Sequence, residues 1–412
     1  MRIAYFHQYF RTPKMSGGCR SFEMARRLVA RGHEVAMITS SQDQARSPHE
    51  RITHEAGIRV HWLPVPYSNH MGFGLRMAAF AKFSAAACAC ARKLRADLVF
   101  ATSTPLTICI PAIYAARRWN VPMVFEVRDL WPEVPIALGI LRNPALVHAA
   151  RRLERYAYAN ASHVVALSPG MADGVVRRGV PRARVHVIPN GCDIDRTTDR
   201  ETHRRAFLER HPELAGKKLV TYTGTIGLIY GVEYLVQVAA RLRHRPDIHF
   251  LVVGDGKRRA ALERCAREAG VLGANFELWP PAPKAEIPEM LAASSVAVSL
   301  VIPEPALWHN SANKFFDALA TSTPVLINYE GWQAELLRET KAGIVVPSDD
   351  PEAAAASLVA FLDAPERLAA ARTAAGTLAR TRFDRDAQAE RLLDVLEAAH
   401  RDGSHPLAHV GA

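Results

Sequence analysis

Cysteine is scarce in this chain, with six thiols among 412 residues. No two of them stand in a Cys-x-x-Cys spacing, and Cys88 and Cys90 diverge on a helical pattern. That excludes a disulfide scaffold or a zinc ribbon and predicts reduced, buried or idle thiols. Long apolar runs are missing too: none reaches the roughly 18 residues of a membrane span. The opening MRIAYFHQYF lacks a basic-then-apolar leader, so a cytosolic placement is expected. Although the formal net charge is +11, the basic residues form no long Lys/Arg tract with interleaved aromatics. This argues against nucleic acid and leaves phosphorylated substrates or an anionic membrane surface as partners.

What is present is a soluble-type composition, 49% hydrophobic and 23% charged, long enough for two domains. The chain opens with the strand IAYF, the loop HQYFRTPKMSGG, a helix from about Cys19 to Arg31 and the strand HEVAMIT. Strand, glycine loop, helix and strand is the opening of a doubly wound α/β sheet. Gly17 and Gly18 allow backbone N–H groups to approach a ligand at the helix start, although turns need glycine as well. IRVHWLPV, DLVFAT, PMVFEV, SHVVAL and RVHVI continue the strands. RDLWPEVP follows Val127, at the end of a strand where open α/β sheets keep their sites, and carries Arg128, Asp129 and Glu133 there.

Residues 71–94 read as an amphipathic helix with Phe73, Met77, Phe80 and Phe83 near one face and Arg76, Lys82, Arg92 and Lys93 elsewhere. Packing on a sheet and lying on a membrane surface are both open to it. After the polar run CDIDRTTDRETHRR, a credible linker, the architecture repeats. Gly224, Gly227 and Gly231 follow one strand, and Gly254 and Gly256 follow the strand HFLVV. Asp193-x-Asp195 mimics a metal-binding triplet, but it sits in the linker and reads as surface turn. The spacing predicts no metal site.

The stretch Trp308 to Leu337 carries the most chemistry. Phe315, Phe316, Leu319 and Ala320 give a helical apolar face, Asn310 or Ser311 is placed to cap it, and Thr323-Pro324 ends it before VLIN. His309, Asn310, Ser311, Asn313, Lys314 and Asp317 crowd the first turn. Lys314 and Asp317 share a face, so the helix start offers a phosphate a cation and a ribose diol a carboxylate. An ordinary capped helix with a solvated pair fits the same residues.

This stretch resembles the donor site of glycosyltransferase family 4, of GT-B fold. ALATSTPVL is similar to the family's Ala-x-Gly-x-Pro-Val, with Asp317 at the second glutamate of a Glu-x7-Glu motif and His309 at the first. NS-x-NKFFD and RDLWPE are similar to a bacterial O-antigen and capsule branch that includes N-acetyl-L-fucosamine transferases. The resemblance implies two doubly wound Rossmann-like domains facing a cleft. Residues 1–195 would bind acceptor and 196–382 a nucleotide sugar, with 383–412 a helix crossing back and a loose tail.

It implies a retaining, metal-independent transfer, without a cofactor, from a nucleotide-diphosphate sugar, UDP-linked and N-acetylated. The acceptor would be an undecaprenyl-diphosphate-linked saccharide at the inner face of the cell membrane. Gly17, Gly18, Gly224, Thr225, Gly227, Gly254, Pro281, Ala282, Asn310, Ser311, Asn313, Lys314 and Asp317 would hold the donor. His7, Arg20 and Glu133 would meet the acceptor, and Asp129, Arg128 and His309 would stand at the reacting sugar. Thr225 and Tyr230 replace an Arg and a Lys usual in the family, which leaves Lys314, helped by Arg20 or Arg128, to balance the diphosphate. A nucleotide-sugar 2-epimerase on the same fold is the alternative; His7, His309 and Glu133 are its available acid/base groups.

Overall fold

The computed structural model describes residues 1–15, 17–41, 51–67, 71–194 and 199–403. Asp195 and the tail expected at HPLAHVGA lie outside the described residues. The chain divides into two compact units. One comprises Met1–Thr12, Cys19–Pro189 and the residues from Asp386 on; the other comprises Pro13–Gly18 and Asn190–Arg385.

The first unit is built on eight strands, β1 (Arg2–Phe6), β2 (Glu34–Ser40), β3 (Arg51–Glu55), β4 (Ile58–Leu63), β5 (Leu98–Thr102), β6 (Met123–Val127), β7 (His163–Ala166) and β8 (Val185–Val187). Their order is β3-β4-β2-β1-β5-β6-β7-β8. All neighbours are parallel except β3 and β4, an antiparallel pair. The sequence reading had no β3. It is joined to β4 by Ala56-Gly57, both at positive φ, a tight hairpin turn. LVFAT and MVFEV are buried along their whole length, as expected of parallel strands covered on both faces.

Glu126 is the one charged residue within those two strands. Arg20, buried with it, donates from Nε to Glu126 at 2.9 Å and from its two terminal nitrogens to the carbonyls of Pro189 (2.7 Å) and Ile188 (2.9 Å). One fork thereby ties the helix Arg20–Ala30, β6 and the segment after β8. The helix Arg385–Asp402 lies against this unit, with Leu392, Leu396 and Ala399 buried. Arg31 pairs with Glu390, and Arg391 donates to the Val187 carbonyl.

The second unit holds β9 (Lys218–Thr223), β10 (Ile248–Val253), β11 (Phe276–Trp279), β12 (Val296–Ser299), β13 (Val325–Ile327) and β14 (Gly343–Val345). They form one parallel sheet in the order β11-β10-β9-β12-β13-β14. The chain winds outward one way from β9 and the other way from β12, so the strand order reverses between them. Ligands of open α/β sheets bind beyond the carboxyl ends of the strands at such a reversal. In this unit that is where the loops after β9 and β12 meet.

Candidate functional site

The loop after β12 leads into the helix Asn313–Ala320, which buries Phe315, Phe316 and Leu319 beneath it. Its cap differs from the sequence expectation: Ala312 occupies the cap position and no side chain caps the helix. Asn310 and Ser311 lock the preceding loop instead. The Asn310 amide donates to the Leu307 carbonyl at 2.9 Å and accepts from the Ala312 N–H at 3.2 Å. Ser311 accepts from Asn190 through its hydroxyl (3.3 Å) and through its carbonyl (2.5 Å). With that loop fixed, Asn313, Lys314 and Asp317 project from the first turns of the helix.

Lys314 Nζ donates to the Tyr222 hydroxyl at 2.8 Å, and Tyr222 donates onward to the Thr225 carbonyl at 2.7 Å. Although part of the side chain reaches solvent, protein packs closely round the ammonium. That desolvation pushes Lys314 down to about 7. Asp317 Oδ2 accepts from Lys284 at 2.6 Å. Lys284 comes from the Pro-rich turn after β11, a partner the sequence reading missed. Nothing periodic marks it, because the contact joins segments 33 residues apart.

Gly224 and Gly254 stand at the ends of β9 and β10 with their backbones in direct contact: a side chain at Gly254 would run into the Gly224 carbonyl. Ile226 N–H donates to the Asp255 carbonyl at 2.8 Å. Gly18, of the segment Pro13–Gly18, approaches Asn313 so closely that a Cβ would lie 2.5 Å from the amide nitrogen. Thus Gly18, Asn313, Lys314 and Gly224 are brought together, with Thr225 and Gly254 beside Gly224 and Asp317 one turn along. Gly227 lies farther along the same loop, and Gly17 immediately precedes Gly18. His309 is half-buried in the loop after β12. Pro281 is exposed, while Ala282 packs on the small core of Phe207, Leu251, Val253 and Met290.

The first unit has a second cluster at the carboxyl ends of β1, β5 and β6. Arg128 N–H donates to the Ser103 hydroxyl at 3.0 Å, and the Arg128 guanidinium reaches His7 Nε2 at 3.4 Å. Burial, with Arg128 and Arg11 close by, holds His7 well below the ordinary histidine range, so it is neutral. Asp129 is pushed up to about 6 by desolvation, with Arg128 pulling the other way. The buried side-chain amide of Gln8, next to His7, makes no hydrogen bond among the described residues. Sequence reading passed over Gln8 for lack of any motif around it.

Two residues expected at the acceptor are placed otherwise. Arg20 is fully buried with its guanidinium on Glu126 and two carbonyls, so its bearing on an acceptor runs through the loops it braces. Glu133 pairs with Arg178, which also reaches the buried Glu154 at 3.0 Å. Among the described residues no three His, Cys, Asp or Glu side chains gather as a metal site. Asp193 of the Asp-x-Asp triplet is paired with Arg385 at 2.7 Å.

Comparison with known proteins bears on what these clusters do. The profile of the glycosyl transferase 4-like domain matches residues 18–191, and that of the glycosyl transferases group 1 family matches residues 217–364. The chain is a GT-B glycosyltransferase. This glycosyltransferase is 27% identical over 281 residues to WcaI of Escherichia coli K12, assigned to colanic acid biosynthesis, covering 64% of the chain and 69% of that protein. It is 27% identical over 394 residues to a D-inositol 3-phosphate glycosyltransferase of Xylanimonas cellulosilytica, covering 92% and 90%.

In fold it is similar to the sucrose-phosphate synthase of Thermosynechococcus elongatus, with a TM-score of 0.79, 18% identity and coverage of 98% and 100%. It is likewise similar to Anabaena HepE in complex with UDP-glucose, with a TM-score of 0.70, 18% identity and coverage of 97% and 100%. The narrower N-acetyl-L-fucosamine transferase branch is not distinguished by these matches.

Proposed function

We propose that this glycosyltransferase transfers a sugar from a UDP-linked donor to a lipid-linked saccharide, with retention of anomeric configuration. One observation carries the donor half: Lys314 and Asp317 stand at the strand-order reversal of the second sheet, with Lys314 against Gly224. A diphosphate laid along the Gly224 and Gly254 loops meets backbone and one ammonium, and a ribose diol meets the Asp317 carboxylate. The UDP-glucose complex of a protein with the same fold supports the choice of nucleotide.

As the donor's glycosidic C–O bond breaks, negative charge grows on the departing diphosphate, and a cation already in place stabilises it without reorganising. The acceptor hydroxyl attacks from the face the diphosphate leaves, and its proton passes to the leaving phosphate oxygen. No protein base is then needed. Arg128, Asp129, His309 and neutral His7 serve to orient sugar hydroxyls, Pro281 and Ala282 to edge the base, and Glu133 to frame the acceptor. Domain roles follow: the first unit for acceptor, the second for donor.

A polymeric surface polysaccharide assembled on an undecaprenyl-diphosphate lipid is the acceptor setting we favour, given the relative assigned to colanic acid biosynthesis. The enzyme would then work at the inner membrane face, where Leu75, Met77 and Lys82, all exposed on the helix Phe73–Arg92, offer apolar and basic contacts.

The test begins with thermal shifts across UDP, GDP and dTDP sugars. The stabilising donor is then incubated with a lipid-linked acceptor and the anomeric configuration read by NMR. Stabilisation by UDP sugars and a product of retained configuration are expected; an inverted product overturns the mechanism. The epimerase alternative is less favoured, since both matching profiles describe transferases. It requires a new sugar from UDP-N-acetylglucosamine when no acceptor is present.

A further inference from the structure

The Lys314 ammonium lies between two aromatic rings. Nζ is 4.3 Å from the centre of the Tyr222 ring and 3.8 Å from that of Tyr230. Gly224 closes a third side, where a Cβ would lie 3.6 Å from Lys314 Cε and 3.8 Å from Nζ. Among the described residues no carboxylate pairs with this ammonium. The nearest on its own helix, Asp317, is held by Lys284. Tyr222 comes from β9 and Tyr230 from the short turn Leu228–Tyr230, while Glu233, at the start of the next helix, acts on Tyr222 rather than on Lys314. Asp255, in the neighbouring loop, is exposed.

We propose that Tyr230 is a positioning residue of the donor site: with Tyr222 it clamps the Lys314 ammonium against Gly224, where the donor's diphosphate lies. The inference rests on the donor reading above and adds to it the device that aims the cation. Two effects act on the clamped charge. The ring faces attract it, and the enclosure strips it of water. Burial pushes Lys314 down to about 7. A lysine is charged below its pKa and neutral above, so affinity for a diphosphate falls as pH rises through that value.

Tyr230 sets the break point through its ring, and three substitutions separate the effects. Tyr230→Phe keeps the ring, so the break stays put. Tyr230→Ala admits water, so Lys314 returns toward the ordinary lysine range and the break moves up. Tyr230→Leu keeps the wall dry without the ring's attraction, so the break moves down. A side chain that merely filled space would leave the Phe and Leu variants alike and let only Ala move the break.

The measurement is calorimetric binding of UDP, with GDP in parallel, from about pH 6.5 to 8.5, above the last phosphate ionisation near 6. Circular dichroism verifies that each variant is folded. For the wild type, affinity should fall up to tenfold per pH unit above about 7. In Tyr230→Ala the break should rise by about one unit or more. A flat wild-type profile, or the same break in the Phe and Leu variants, overturns the proposal. If Tyr230→Ala fails to fold, Tyr230→Leu decides, because a break at or above the wild-type value contradicts the clamp. Should neither UDP nor GDP bind the wild type at any pH, the donor reading itself fails.

Discussion

Lys284 Nζ stands 2.6 Å from Asp317 Oδ2, with the two side chains 26% and 20% exposed. The pair joins the turn after β11 to the helix that carries Lys314. It orients one carboxylate oxygen and leaves the other without a hydrogen bond among the described residues, placed to accept from a ribose diol. Asp317→Asn should therefore lower UDP affinity by one to two decades, since a hydrogen bond to a charged group contributes about 1.5–3 kcal/mol. Stability should hardly change, because a partly exposed ion pair contributes about 0–1 kcal/mol. Calorimetry alongside urea unfolding reads both, and unchanged affinity would remove Asp317 from the donor site.

Lys314→Ala addresses the chemical step. If Lys314 meets charge that develops as the diphosphate leaves, turnover should fall by more than UDP affinity does. Equal losses would make it a ground-state anchor. No loss in either would reduce the helix Asn313–Ala320 to structure.

The doubly wound sheets were legible because parallel strands buried on both faces read as apolar runs, as in LVFAT and MVFEV. The helix Asn313–Ala320 was legible for a similar reason: Phe315, Phe316 and Leu319 recur at helical spacing. Charged contacts between distant segments left no such trace. Lys284 meets Asp317, Glu126 meets Arg20 and Tyr230 meets Lys314 only after the chain has folded. For the same reason Arg20 read as a site cation when it is an interior brace. Tyr230 stood out in sequence only as a missing lysine, whereas its ring supplies a wall around the cation that remains.

That brace makes a stability prediction. The side chains of Arg20 and Glu126 are 0% and 1% exposed, so removing one charge strands the other in a dry interior. Glu126→Gln should cost about 3–5 kcal/mol, the range for breaking a buried pair from one side. The urea midpoint measures it. A loss below about 1 kcal/mol would mean that the carbonyls of Ile188 and Pro189 suffice for the guanidinium.

A second stability effect depends on pH. His163 Nδ1 and His186 Nε2 are 2.9 Å apart, with Asp402 on the far side of His163 and Arg184 bridging to it. Burial, followed by His163, Arg182, Arg184 and Arg391, pushes His186 down to about 4. His163 is lowered as well, chiefly by burial. An unfolded histidine titrates near 6.5, so between about 6.5 and 4 the unfolded chain binds more protons than the folded one. Stability from this pair is full above about 6.5 and is lost as pH falls toward 4. His186→Gln should flatten that part of the urea-stability profile relative to wild type. Parallel profiles would show that the pair contributes nothing to it.

Contact with a membrane surface would involve other residues of the first unit than the phenylalanine face the sequence suggests. On the helix Phe73–Arg92, Phe80 and Phe83 are 7% and 1% exposed. Phe80 stacks on Tyr67, and Arg76 donates to the Tyr67 hydroxyl. The two phenylalanines are interior packing, as the alanine-rich sequence allowed, and Arg76 is half-buried beside Tyr67. Among the described side chains, the large apolar ones exposed on this helix are Leu75 and Met77, 67% and 37% exposed. Among the described residues no helix is long and apolar enough to cross a membrane. An anionic surface attracts each nearby Lys or Arg by about 1 kcal/mol, and two inserted side chains add a reversible apolar contribution. Sedimentation with phosphatidylglycerol vesicles should recover the wild type far better than phosphatidylcholine vesicles do. Leu75→Ser with Met77→Ser should weaken the binding at every salt concentration. Lys82→Glu should weaken it most at low salt, where screening is least. Binding that ignores lipid charge and all three substitutions would leave this helix as a packing element and send the search for a lipid contact elsewhere on the first unit.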